Sequence, residues 1–216
     1  MTRFIIIRHG RTAANKGAYF AGQMDVPLLD EGEEQAKRTA QYVLENYRVD
    51  CIYSSDLMRT CQTVQPIADS LGLPIYTCKE LREVNVGNWQ GRLRVDIQRE
   101  NPEQYAQYVS NIGSFRFDGG EGFADVMERA RLALARIAKE NDGQNVVIGT
   151  HGGVIRSLYA VWNGLPASQI KEAPLVPNCS ITIVEYDNDG HTTCLRFASD
   201  EHLSNTNADG AKPTTV

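Results

Sequence analysis

Phe4-Ile5-Ile6-Ile7-Arg8-His9-Gly10 decides the fold. Four apolar residues in a row, three of them β-branched, form the pattern of a strand buried on both faces of a sheet. The run then stops abruptly on a cation, an imidazole and a glycine. Val146-Val147-Ile148-Gly149 repeats the pattern and stops on Thr150-His151-Gly152-Gly153. Ligands of open α/β sheets bind beyond the carboxyl ends of the strands, so two strands ending in His-Gly would turn both imidazoles toward one crevice.

Working outward, Cys51-Ile52-Tyr53 and Pro74 to Cys78 read as further strands. Ala36, Ala40, Val43, Leu44 and Tyr47 recur at helical spacing after Asp30, an expected N-cap with Glu33 three residues on. Leu57, Cys61, Val64, Ile67, Ala68 and Leu71 predict a second helix, kinked at Pro66 and stopped by Gly72. Glu121 to Asn141 predicts a long amphipathic helix, and another begins near Val154. Ser180 to Tyr186, the turn Asp187-Asn188-Asp189-Gly190 and Thr192 to Ala198 predict an antiparallel hairpin. The alternation implies a three-layer α/β/α sandwich with a mostly parallel central sheet and an antiparallel edge. A single domain is expected over 1–203, with an irregular covering insertion at about 84–120 and a disordered polar tail over 204–216.

The chain has 216 residues, 42% of them hydrophobic and 23% charged, the balance of a folded globular protein. Twenty-two Lys and Arg against 27 Asp and Glu leave a net charge of −5, without the basic face that nucleic acid requires. Positive charge for an anionic substrate must then be concentrated at one site. No apolar stretch is long enough for a signal peptide or a membrane span. Cys51, Cys61, Cys78, Cys179 and Cys194 are odd in number, without metal-ligand spacing, which points to a reducing cytoplasm and no metal. The terminal hairpin offers a sheet edge for a possible homodimer.

Arg8 adjoins His9, and Arg59 falls in the first turn of the helix after Ser54-Ser55-Asp56. A guanidinium fork matches phosphate geometry, and a helix N-terminus also favours an anion. A histidine attacking phosphorus needs a neutral ring with one nitrogen held by a hydrogen bond, which a carbonyl near Gly10 would supply. Glu83, just after the third strand, is the candidate for protonating the leaving oxygen.

R-H-G-R-T-A-A-N at 8–15, G-Q-M-D-V-P-L-L-D-E-G at 22–32, S-S-D-L-M-R-T-C-Q-T at 54–63, L-R-E-V-N-V-G-N-W-Q-G at 81–91 and T-H-G-G-V-I-R at 150–156 occur in one order. That ordered set resembles the histidine phosphatase superfamily, which includes cofactor-dependent phosphoglycerate mutases. The resemblance implies that His9 takes up the phosphoryl group as phosphohistidine while Arg8, Arg59 and His151 bind its oxygens. It implies that Asn15 binds phosphate, that Glu83 is the proton donor, and that Gln23 approaches the substrate; Gly152 is a further candidate contact. No metal or other cofactor is implied, since positioning and charge stabilisation carry phosphoryl transfer here.

Phosphoglycerate mutases of this kind are typically longer, with an insertion bearing Leu-Asn-Lys and paired arginines, where this chain has Gln90-Gly91-Arg92-Leu93-Arg94. Hydrolysis of a small phosphorylated metabolite is therefore favoured over mutase-type transfer or silent phospholigand binding. Phe115-Arg116-Phe117 and Gly119 to Phe123 are expected to close over the pocket, with Arg92, Arg94 and Arg116 as candidate contacts to a carboxylate or second phosphate.

Overall fold

The computed structural model describes residues 1–17, 19–187 and 190–206. In chain order the principal elements are β1 (Thr2–Arg8), α1 (Ala13–Gly17), α2 (Asp30–Asn46), β2 (Cys51–Ser54), α3 (Met58–Leu71) and β3 (Ile75–Thr77). There follow α4 (Arg94–Glu100), α5 (Pro102–Ser110), α6 (Phe123–Glu140), β4 (Asn145–Thr150), α7 (Gly152–Trp162), β5 (Ile181–Tyr186) and β6 (Thr192–Ser199).

The six strands lie in the order β3-β2-β4-β1-β5-β6. The first four run parallel, and β5 and β6 are antiparallel to their neighbours, giving the antiparallel edge. In register, Ile5 sits between Val147 and Ile183, and Phe4 between Val146 and Val184. Because side chains alternate across a strand, Ile5, Ile7, Val147 and Ile183 pack with Ala40 and Val43 of α2 and Val64, Ile67 and Ala68 of α3. Phe4, Ile6, Val146 and Ile148 pack on the other face with Ala130, Leu134 and Ile137 of α6 and Val154, Ile155 and Leu158 of α7. Burial on both faces explains why β1 and β4 read as unbroken apolar runs. Their joint carboxyl end lies between the helical layers, where Arg8, His9, Thr150 and His151 emerge.

Several boundaries differ from the sequence reading. Asp30 is the first residue of α2 rather than its cap; Leu29 holds the cap position and offers no side-chain acceptor. The third strand is confined to Ile75–Thr77, and α7 begins at Gly152, directly after His151. In agreement with the sequence reading, α3 runs across Pro66 to Leu71 and stops at Gly72, whose φ of 64° is left-handed. The covering segment contains two helices, α4 and α5, where the chain's glycines and Pro102 suggested irregular backbone. Its interior is aromatic: Trp89, Tyr108, Phe115 and Phe117 pack with ring centroids 5.0–5.7 Å apart. Ser204, expected to open the tail, instead lies in a 3-10 turn over Glu201–Thr206, its hydroxyl donating to the Glu201 carbonyl at 2.7 Å. Residues 207–216 of the expected tail, and Asn188 and Asp189 of the expected turn, lie outside the described residues. Among the described residues no helix is long and apolar enough to cross a membrane.

Candidate active site

β1 delivers Arg8 and His9 to the rim of a cavity of about 130 Å³. The His9 Nδ1 lies 2.8 Å from the carbonyl of Gly10. A carbonyl only accepts, so Nδ1 carries the proton and Nε2 keeps its lone pair. The turn is fixed from both sides: the Gly10 N–H donates to Thr63 Oγ1 of α3 at 2.9 Å, and Asn178 Nδ2 donates to the His9 carbonyl at 2.9 Å. Burial, then the charges of Arg59 and Arg8, push the His9 pKa well below the ordinary imidazole value. The ring is thereby held neutral, as a nucleophile requires.

α3 delivers Arg59, which is only 2% exposed. Its guanidinium donates to the carbonyls of Met24 and Gly22 at 2.8 and 2.9 Å. Burial lowers its pKa to about 10, with Glu83 opposing, so it stays charged at neutral pH. Arg8 donates to the Val176 carbonyl, while its buried Nε has no partner among the described residues. A buried guanidinium, Arg59, and a half-buried one, Arg8, facing one cavity are costly unless an anion completes them.

β4 delivers His151, whose ring centroid lies 5.3 Å from that of His9. Its Nε2 is 2.9 Å from Ser55 Oγ, and its buried Nδ1 has no partner among the described residues. A Ser55 hydroxyl donating to Nε2 would leave the proton on Nδ1, the ring nitrogen without a partner among the described residues. Burial first, then Arg59, keeps this imidazole neutral as well.

Glu83 borders the same cavity. Its carboxylate accepts from the N–H groups of Val84 at 2.9 Å and Gly153 at 3.2 Å. The Glu83 carbonyl accepts from Gln23 Nε2 at 3.0 Å and from Arg129 at 3.1 Å. Arg129 in turn is paired with Glu121 at 2.8 Å. The acid/base candidate is thus clamped to α6 and to the N-terminus of α7.

Arg8, His9, Arg59, Glu83, Asn15 and Gly152 therefore border one cavity, with His151 packed against His9. Asn15 turns its Oδ1 to the N–H and hydroxyl of Thr12, both at 3.0 Å. Gln23 does not border the cavity; it supports the Glu83 segment instead. Gly152 gives Arg8 room, since a Cβ there would lie 3.3 Å from its Nε. Of the three further arginines, Arg92 is paired with Glu100 and the exposed Arg116 with Asp125 at 2.5 Å, whereas Arg94 borders the cavity. Phe117 and Phe123 line it as expected, while Phe115 belongs to the aromatic packing behind.

Ser55, Thr63, Asn178 and Arg129 were missed by sequence reasoning. Ser55 carried a usable signal, its position at the end of β2; the other three bond to residues far off in the chain. Among the described residues, no group of three or more His, Cys, Asp or Glu side chains is placed to hold a metal.

The sequence model of the histidine phosphatase superfamily (branch 1) matches residues 4–199. The chain belongs to that superfamily. It is 38% identical over 157 residues to phosphoglycerate mutase-like protein 4 of Arabidopsis thaliana, covering 72% of this chain and 68% of the relative. It is 32% identical over 186 residues to a metal-independent phosphoserine phosphatase of the same plant, covering 85% and 76%. Among solved structures it resembles Bacillus stearothermophilus YhfR, with a TM-score of 0.89 and 28% identity over 94% of this chain and all of the other. Family and relatives together support a phosphatase, a hydrolase of phosphate esters.

Proposed function

We propose that the protein hydrolyses a small phosphorylated metabolite without a metal, through a phosphohistidine at His9. The observation that carries this reading is His9, its proton fixed on Nδ1, beside the guanidiniums of Arg8 and Arg59 in a cavity that also holds Glu83. Nε2 attacks phosphorus and the P–O ester bond breaks, the leaving oxygen taking the proton of the Glu83 carboxyl group. Water then attacks the phosphohistidine and gives a proton to the Glu83 carboxylate. The P–N bond breaks, and orthophosphate leaves. Charge on the equatorial oxygens is met by Arg8, Arg59 and the Nδ1–H of His151.

The relative named as a metal-independent phosphoserine phosphatase supports release to water. The engagement of Arg92 and Arg116 with carboxylates supports it too, since neither arginine is turned to the cavity to hold a second phosphate. A cytoplasmic home fits five free thiols.

The test is orthophosphate release from a panel of phosphomonoesters in excess chelator, wild type beside His9→Ala. Release that resists chelator and falls at least about 10³-fold in the variant is expected. Equal activity in His9→Ala would overturn the reading. Isomerisation of 3-phosphoglycerate without net release would make the protein a mutase.

A further inference from the structure

Beyond the phosphate end, the cavity changes character. Phe20, Val84, Val86, Ile112, Phe117 and Phe123 form most of its wall, with Tyr19, Tyr108 and Arg94 as its polar members. Within that wall Phe20 packs edge-on against Tyr108 at 5.5 Å, and from behind it is braced by a tilted contact with Trp89 at 5.1 Å. The Arg94 guanidinium lies 5.3 Å from the Phe20 ring centroid, in a cation–π arrangement that makes it part of the same surface. Glu83 is the sole carboxylate among the described residues of the lining, and two backbone N–H groups already engage it.

We propose that the alcohol half of the substrate is apolar: the protein acts on phosphate monoesters of aromatic or branched aliphatic alcohols. This rests on the phosphatase reading above and narrows it. A zwitterionic amino-acid ester would bring an ammonium to a wall with no carboxylate free to receive it. A polyol ester would set most of its hydroxyls against carbon, because Tyr19, Tyr108 and Arg94 are the few polar groups of the lining away from the phosphate end, so desolvation would be only partly offset. An apolar body loses nothing there and gains burial.

The test compares kcat/KM for 2-phenylethyl phosphate and 3-methylbutyl phosphate with phosphoserine, glycerol 3-phosphate and 3-phosphoglycerate, all in chelator. All are alkyl esters, and the apolar alcohols are no better leaving groups, so a preference reports the wall rather than intrinsic reactivity. The apolar esters are expected to lead by about 10-fold or more, the scale of pocket discrimination by small apolar groups. Val86→Asn is expected to erase that lead while inhibition by inorganic phosphate, which reports a folded phosphate site, stays as in wild type. Equal or better turnover of phosphoserine or glycerol 3-phosphate overturns the proposal and leaves the phosphatase reading standing. A lead for 3-phosphoglycerate also overturns it and makes Arg94 the specificity element. Silence with all five esters defeats the phosphatase reading itself.

Discussion

Gly153 shows how little space separates the reacting groups. A Cβ built there would lie 2.3 Å from Glu83 Oε1, and the carboxylate end is the part able to move. Gly153→Ala is therefore expected to push Glu83 off its two N–H donors. Since alanine favours a helix over glycine by up to about 1 kcal/mol, stability should hold or rise while kcat falls about 10²-fold, the lower range of general acid catalysis. The loss should shrink for p-nitrophenyl phosphate, whose leaving group needs little protonation. Steady-state kinetics beside a thermal melt decides, and an unchanged kcat would remove Glu83 from proton transfer. At this scale the sequence was informative wherever a residue sits at a strand end. Arg8, His9, Glu83 and His151 were legible because β1 and β4 end abruptly in polar residues and Glu83 follows β3. Arg94 could not be told from Arg92 and Arg116, because what separates them is that the fold turns Arg94 alone of the three to the cavity.

α3 is anchored at its first turn by a residue from another part of the chain. Leu57 holds its cap position and offers no acceptor, but the Met58 N–H donates to Asp25 Oδ1 at 2.6 Å. The loop carrying Asp25 is the one whose carbonyls at Gly22 and Met24 receive Arg59. Loop and helix start thus lock each other, and the lock sets where the guanidinium points. Asp25→Ala should cost about 1 kcal/mol, the usual worth of a cap, and should weaken inhibition by inorganic phosphate several-fold. Urea denaturation and a phosphate inhibition constant measure the two effects; a loss of stability with unchanged inhibition would reduce Asp25 to a structural cap. The same long-range capping explains why helix starts were the less legible part of the fold. Periodicity locates the apolar faces of α2, α3 and α6, whereas the partner of an end N–H is set by tertiary structure. The covering segment was opaque for a related reason: α4 and α5 are short, and the aromatic packing that holds them is assembled from positions between Phe20 and Phe117.

The site draws on nearly the whole chain. His9 comes from β1, Arg59 from α3, Glu83 from the segment after β3 and His151 from the end of β4, so the cavity exists only when both helical layers are docked on the sheet. An unfolded chain offers no comparable cluster of guanidiniums and imidazoles. An oxyanion bound there stabilises the native state alone, by RT ln(1 + [L]/Kd), or about 2.7 kcal/mol at a hundred times Kd. For a domain of this size each kcal/mol raises Tm by roughly 2–4 °C, so saturating orthophosphate should raise it by about 5–10 °C. Arg59→Met leaves the Gly22 and Met24 carbonyls without their donor and should lower the starting Tm. Its diagnostic effect is on the increment: most of the phosphate-induced rise should vanish. Sulfate at equal ionic strength should act like phosphate, and chloride should not, because the fork geometry of Arg8 and Arg59 selects a tetrahedral oxyanion rather than negative charge in general. Differential scanning calorimetry across these salts settles the point, and an equal rise with chloride would mean that the cavity senses ionic strength and binds no oxyanion.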